Sequence, residues 1–392
     1  MRKNLSTMGT ILREMRIKSG FTQEEVAQVL GIPRPAISQI EKGKRAIKSE
    51  ELYKLAQLFN KPLSSFEAVM EGKEEEETGA LAVLLRAETL KEEDKEEIKR
   101  GYDLYQKYHE LETILDIKKD FFEGIDLPKP KNKLEAIRQG ERLADIVRGQ
   151  LKLGLAPIRN VAALLTSQGI RVIACKFKGD MSGAFVFDEG LGSCILVNIN
   201  HPTSRQSFTI AHEFCHTLID RNKIAQVDFI DPGDDPMETR ANVFASHFLM
   251  PDEALAEFLK YMGIKRKKHD FDPYDVAHIA YYFSLSHLAV LYRLKDYGAL
   301  SEKKFRQLRQ TNWRKVADTL DFPEDIYEIE TGDGMIDKRK PEDFMLTQER
   351  LKHLSIEAYR RSLISLRKLG ELLEKNYEEV RRFVYDAQIE VV

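Results

Sequence analysis

The sequence predicts a multidomain α+β protein. It has an all-α domain first, then an α+β domain with a small antiparallel sheet, then a mainly helical C-terminal region. Three observations carry this. Residues 8–66 break into five short helix-period stretches separated by turn residues. Between Ile170 and Ile199 the apolar period changes to two, or to short β-branched runs. From Ser301 onward the pattern is again helical and charged, interrupted by one long loop at 331–341. A chain of 392 residues is long enough for two or three separate cores. The boundaries fall at 1–70, 71–130, 131–300 and 301–392.

Charged residues make up 32% of the chain and the formal net charge is −3, which excludes a polyelectrolyte partner along the whole length. The charge is uneven: a basic N-terminal module precedes an acidic body, pointing to one module that meets nucleic acid. Cys175, Cys194 and Cys215 are too few and too scattered for a disulfide framework or a Cys-based zinc site, so reduced thiols are expected. No apolar run approaches 18 residues and no signal-like segment follows the first residues. A cytoplasmic protein with no membrane span is the expectation.

The first helix, Met8–Ser19, sets Ile11, Leu12 and Met15 against a basic face of Arg13, Arg16 and Lys18, and stops at Gly20. Thr22 to Glu25 is a capping box that opens a second helix through Val26, Ala27, Val29 and Leu30. Gly31 ends it with a residue that tolerates positive φ. A third helix, Pro33 to Glu41, turns Ile37 and Ile40 inward. Helix, short glycine-bearing turn, helix is the arrangement that lays its second member in a DNA major groove.

Thr22-Gln23-Glu-Glu-Val-Ala27, Gly31-Ile-Pro33, Ile37-Ser38, Ile40-Glu41, Gly43 and Leu55-Ala56 together resemble the Xre/Cro-repressor helix-turn-helix family. The resemblance implies a duplex DNA operator as partner. It sets Arg34, Pro35, Ser38 and Gln39 on the outward face of the recognition helix, and Gln23, Lys42, Lys44 and Arg45 where that family meets phosphates. Pro35 stands where a polar residue is common. A helical bundle that binds protein, or dimerises, is the alternative.

Residues 71–79 form an acidic linker, and residues 81–90 and 91–115 read as helices. The second is a charged spacer with Ile98, Leu104 and Tyr108 at helical spacing, able to pair two chains into a homodimer. Pro128 and Pro130 close the region. An amphipathic helix, Leu134–Leu151, opens the next domain, and a second helix starts at Ala156-Pro157-Ile158 and ends at Gly169. Residues 170–177, 183–187 and 193–199 read as antiparallel strands, with an edge suited to strand addition by an extended peptide. The strongly apolar 193–199 is expected to be buried or to be that edge.

The stretch Phe208 to Ile219 then carries His-Glu-x-x-His inside a helix-period run. Four residues advance a helix by about 400°, so His212 and His216 share a face roughly 6 Å apart, the separation that lets two imidazoles bind one tetrahedral Zn²⁺. Glu213 lies about 100° round from His212, placed to act on a water at the metal without ligating it. Downstream, Glu238, Ala241, Asn242 and Ala245 share the face of another helix that Pro251 ends. A carboxylate from that helix would complete a His₂Glu site with one position open.

Arg205-x-x-Phe208-Thr-x-Ala-His-Glu-x-x-His216 followed by Glu238-x-x-Ala-Asn-x-Phe-Ala-x-x-x-Leu-Met-Pro251 resembles the ImmA/IrrE metallopeptidases, over about residues 140–300. The resemblance implies a zincin-like fold, one zinc ion held by His212, His216 and Glu238, Glu213 as general base, and a regulatory protein such as a repressor as substrate. Cys215 stands where that family usually has glycine.

The remaining candidates read as structural. Asp231, Asp234 and Asp235 are turn residues, His247 belongs to the far side of its helix, and His278 and His287 to packing. Arg293-Leu294 resembles the end of the family domain, and Ser355–Ser365 suggests a further helical pair. There is no phosphate-binding loop, no dinucleotide fingerprint and no evident repeat. Two functions fit: a DNA-binding regulatory zinc endopeptidase, or a non-cleaving transcriptional regulator whose metal domain senses a ligand or mediates assembly.

Overall fold

A computed structural model of the chain describes residues 9–10, 12–13, 16–17, 21–58, 80–85, 90–117, 124–178, 181–188, 190–220, 225–229, 235–264, 270–320 and 346–389. The acidic linker 71–79, the loop 331–341, Ile11, Met15, Lys18, Gly20, Asp231 and Asp234 lie outside the described residues. The chain divides into two compact units, one of residues 1–82 with 352–392 and one of residues 83–351. Among the described residues no helix is long and apolar enough to cross a membrane.

In the first unit a helical segment that includes Leu12 and Arg16 precedes α1 (Gln23–Leu30), α2 (Arg34–Glu41) and α3 (Ser49–Leu58). Thr22 and Glu25 form the reciprocal capping box, and Gly31 takes the left-handed backbone (φ 69°) that turns the chain into α2. Leu12, Val26, Ala27, Leu30, Ile37, Ile40, Leu52 and Leu55 make the core. Buried Glu41 ties the bundle together: Arg16 Nε donates to it at 2.5 Å and Gln23 Nε2 at 2.8 Å.

The second unit begins within α4 (Ala80–Leu85) and continues with α5 (Glu92–Ile114), α6 (Lys133–Gln150) and α7 (Val161–Ser167). Strands β1 (Arg171–Cys175), β2 (Met181–Asp188) and β3 (Gly192–Asn198) follow, then α8 (Thr203–Ile219), β4 (Ala225–Phe229) and α9 (Pro236–Leu249). Helices α10 (Asp252–Tyr261), α11 (Pro273–Phe283), α12 (His287–Asp296), α13 (Glu302–Arg309) and α14 (Trp313–Leu320) complete its core. Phe305, Leu308, Trp313 and Val316, from the region assigned to the C-terminal part, pack into that same core. The chain ends with α15 (Leu346–Arg360), α16 (Leu366–Leu372) and α17 (Tyr377–Asp386).

The sheet has the order β1-β3-β2-β4 and is mixed, which corrects the expected all-antiparallel sheet. β2 and β3 form an antiparallel hairpin, turned at Asp188, whose carboxylate accepts from the Gly190 and Leu191 amides. The hairpin folds back so that β3 enters between β2 and β1, and it therefore runs parallel to β1. Burial explains the choice: every residue of β3 is buried, as a strand paired on both sides requires. The apolar run 193–199 is thus the interior strand rather than an edge that accepts a peptide.

Helix α5, read from sequence as a spacer, lies on this sheet. Tyr105 Oη donates to the Gly192 carbonyl at 2.6 Å and Arg100 to the Ala174 carbonyl at 3.0 Å. Asp94 and Glu97 accept from the Lys178 and Lys176 amides beyond the end of β1. Arg171 and Glu112 make a buried ion pair. Buried Ile98, Leu104 and Tyr108 mark its packed face, so the periodicity that suggested a partner chain is satisfied within this unit.

Candidate functional site

His212 and His216 stand one turn apart on the buried face of α8, and α9 brings Glu238 against them. Ala241 and Ala245, both fully buried, keep that side of α9 low enough for the two helices to close on one another. Phe214 meets Phe244 and Phe248 at ring separations of 5.9 and 5.7 Å, fixing α8 against α9 behind the site.

The two histidine Nε2 atoms are 3.2 Å apart. Glu238 Oε2 lies 3.1 Å from His212 Nε2, and Oε1 lies 3.6 Å from His216 Nε2. One ligand atom from each residue falls within 4.8 Å of the others, and all three residues are buried. Burial raises the Glu238 carboxyl pKa, but while no cation lies among these groups the hydrogen bonds and charge of the two histidines in their protonated form outweigh it and hold the group well below the carboxylate range.

The outer nitrogens of the rings fix which atoms face inward. His212 Nδ1 is 2.9 Å from Asn242 Oδ1, and His216 Nδ1 is 2.8 Å from Asp220 Oδ2. Acceptors at both Nδ1 atoms place the proton there and turn each Nε2 lone pair toward Glu238. Two imidazole nitrogens and a carboxylate aimed at one point repel unless a cation lies among them. The donor set is that of a three-ligand zinc site with an open position, so these residues fit the metal.

Asp220 is itself held by buried Arg240, whose Nη2 lies 3.1 Å from both its oxygens. Burial pushes the Asp220 pKa up, while the His216 hydrogen bond and Arg240 charge bring it down further, for a net lowering. Phe185 of β2 stacks on the His216 ring at 5.4 Å and 12°. These positioning groups were not assigned from sequence. Asp220 carried a signal, since it lies four residues beyond His216 on the same face. Arg240 carried only its place two residues after Glu238.

Glu213 is fully buried on the side of α8 that meets β2. Gly183 permits that approach: a Cβ there would lie 2.7 Å from Thr209 Cγ2, 2.9 Å from the Leu196 carbonyl and 3.0 Å from Glu213 Oε1. Gly183→Ala is therefore expected to destabilise the domain by about 1–3 kcal/mol, the usual cost of overpacking. A thermal melt checks this, with a fall of several degrees as the outcome.

Two further histidines are packed inside the domain. His247 donates Nδ1–H to the Val243 carbonyl at 3.0 Å, and burial lowers its pKa to about 4. His287 stacks on Trp313 at 4.4 Å, and burial lowers it likewise to about 4. His278, expected to pack, is instead exposed on α11, whereas Asp235 caps α9 by accepting from the Met237 amide.

Of the residues assigned to DNA, Arg34, Pro35 and Gln39 are exposed on α2 and Ser38 is half-buried beside them. Lys42 and Lys44 are exposed in the following turn. Two residues differ from the expectation of open phosphate contacts. Gln23 is engaged with Glu41, and Arg45 is half-buried in an ion pair with Glu51 at 2.7 Å.

The helix-turn-helix family model matches residues 12–66, and the family model described as the IrrE N-terminal-like domain, a peptidase family, matches residues 165–295. Over 53 residues the chain is 45% identical to an uncharacterized HTH-type transcriptional regulator of Archaeoglobus fulgidus, covering 14% of this chain and 76% of that protein. Over 111 residues it is 29% identical to the metallopeptidase ImmA of Bacillus subtilis, covering 28% of this chain and 60% of that protein. With its turn chemistry, its core and these matches in agreement, the chain belongs to the helix-turn-helix regulators and carries an IrrE N-terminal-like peptidase-family domain behind its DNA-binding domain.

Proposed function

We propose that this protein is a cytoplasmic, DNA-binding regulatory zinc endopeptidase that cuts a repressor or another regulatory protein. The convergence of His212 Nε2, His216 Nε2 and the Glu238 carboxylate carries the reading, with Glu213 adjacent on the same helix. His212, His216 and Glu238 hold one zinc ion, which when bound polarises the scissile carbonyl and acidifies a water. Glu213 takes the proton of the attacking water and delivers it to the leaving amine. Asn242 and Asp220 keep the imidazoles turned for this work. The substrate enters as an extended segment along the outer edge of β4, which pairs only with β2 among the described residues. Arg34, Ser38, Gln39, Lys42 and Lys44, with Gln23 and Arg45 once released from their carboxylates, engage the operator.

The test is incubation of the full chain with a panel of helix-turn-helix repressors, with zinc, after chelation, and after zinc is restored. Cleavage of one of them that is lost on chelation and regained with zinc is the expected result. Metal-dependent DNA binding with no cleavage across the panel would favour the non-cleaving regulator instead.

A further inference from the structure

The first unit contains a second copy of the helix-turn-helix geometry, at its C-terminal end. Adding 343 to each residue number from Thr22 to Glu41 gives Ser365 to Val384, and the two stretches share their first cap, their left-handed turn and two central buried positions although their side chains share almost nothing. Thr22 caps α1 with φ −76° and ψ 159°, its side chain accepting from the Glu25 amide. Ser365 caps α16 with φ −76° and ψ 160°, its side chain accepting from the Lys368 amide. At the turn, Gly31 has φ 69° and its counterpart Glu374 has φ 54°. The Ile32 amide donates to the Ala27 carbonyl at 3.0 Å, and the Lys375 amide donates to the Gly370 carbonyl at 2.8 Å. Val26 and Ile37 are fully buried, and so are their counterparts Leu369 and Val380.

The small residue that lets the two helices cross is also matched, Ala27 in the first motif and Gly370 in the second. A Cβ at Gly370 would lie 2.9 Å from the Lys375 carbonyl and 3.1 Å from Val380 Cγ1. The similarity was illegible in sequence because it resides in burial, caps and one left-handed turn residue. An exposed glutamate in place of glycine hides the last of these.

The second motif presents its own outward face. Where α2 has Arg34, Pro35, Ser38 and Gln39, α17 has Tyr377, Glu378, Arg381 and Arg382, all exposed. In the same unit, Arg367 of α16 sits 3.3 Å over the ring of Phe21, immediately before α1, so the two motifs are joined. We infer that residues 365–386 are a second DNA-reading helix-turn-helix, with Arg381 and Arg382 entering the major groove of the duplex that the N-terminal motif also contacts. Adjacent arginines at the positions of Ser38 and Gln39 supply charge for phosphate and a fork for the guanine edge, while Glu378 at the Pro35 position can accept from a cytosine amino group. One chain thus reads two blocks of sequence.

Selection of 40-base-pair random duplexes by the full-length chain provides the probe. The expected consensus has two blocks. Arg381→Ala/Arg382→Ala should erase one of them, weaken binding roughly ten-fold or more, and lower the slope of log K against log salt by about 1–2. Arg381→Lys/Arg382→Lys should keep the slope and relax the base preference. Both pairs are exposed, and an unchanged melting temperature separates lost contacts from unfolding. A one-block consensus, or an alanine variant with wild-type slope and consensus, overturns the inference. So does a variant that leaves DNA binding intact but changes self-association in sedimentation, which would make α17 a protein-binding face.

Discussion

Glu213→Gln is expected to keep one zinc ion per chain and to slow peptide hydrolysis by about 10²–10⁴-fold, the usual loss when a positioned general base is removed. The amide is isosteric with the carboxylate, so the close approach of α8 to Gly183 survives. What disappears is the ability to accept a proton. His212→Ala, His216→Ala and Glu238→Ala should behave differently, each losing most of its zinc because each would remove one of the three proposed ligands found among the described residues. Elemental analysis of the purified variants, beside single-turnover cleavage, separates the two classes. Full zinc in Glu238→Ala would transfer the third ligand to another carboxylate. Undiminished cleavage by Glu213→Gln would remove the base from the mechanism.

The parts of this molecule legible in sequence are those governed by local rules. The Thr22–Glu25 capping box, the Gly31 turn and the i, i+4 pair of His212 and His216 follow from chain geometry within a few residues. Glu238 was legible because α9 repeats small residues on the face that carries it. The sheet was legible as strands but not as topology: nothing in residues 170–199 says that β3 inserts between its neighbours to run parallel with β1. Helix α5 was misread for a related reason. Its charged residues look solvated, but Asp94, Glu97 and Arg100 bond the backbone at and beyond β1, and only tertiary structure supplies those partners. Three-dimensional pairing also explains why Arg45 and Gln23, correct in residue type for phosphate contacts, rest on Glu51 and Glu41.

The largest stability effect is expected at Asp220, just past the end of α8, and Arg240 of α9. Arg240 is 1% exposed and Asp220 4%. The guanidinium bonds both carboxylate oxygens at 3.1 Å and also reaches Gln139 Oε1 at 3.3 Å. Asp220→Ala strips a buried cation of its paired carboxylate, so a loss of about 3–5 kcal/mol is expected. For a domain of this size that is a fall on the order of 10 °C in melting temperature. Measurement on zinc-free chains keeps this loss apart from any loss of metal. Arg240→Met with Asp220→Leu, which removes both charges, should recover much of the stability, because paired burial costs desolvation that two apolar side chains avoid. It should not recover the metal site. Without an acceptor at His216 Nδ1 the ring is no longer held with Nε2 inward, and zinc affinity should stay about 10–100-fold below wild type. Asp220→Asn, which keeps an acceptor at that nitrogen, should bind zinc more tightly than the double variant although it is less stable. If instead zinc affinity followed stability across the three variants, Asp220 would be a packing residue with no hold on the imidazole.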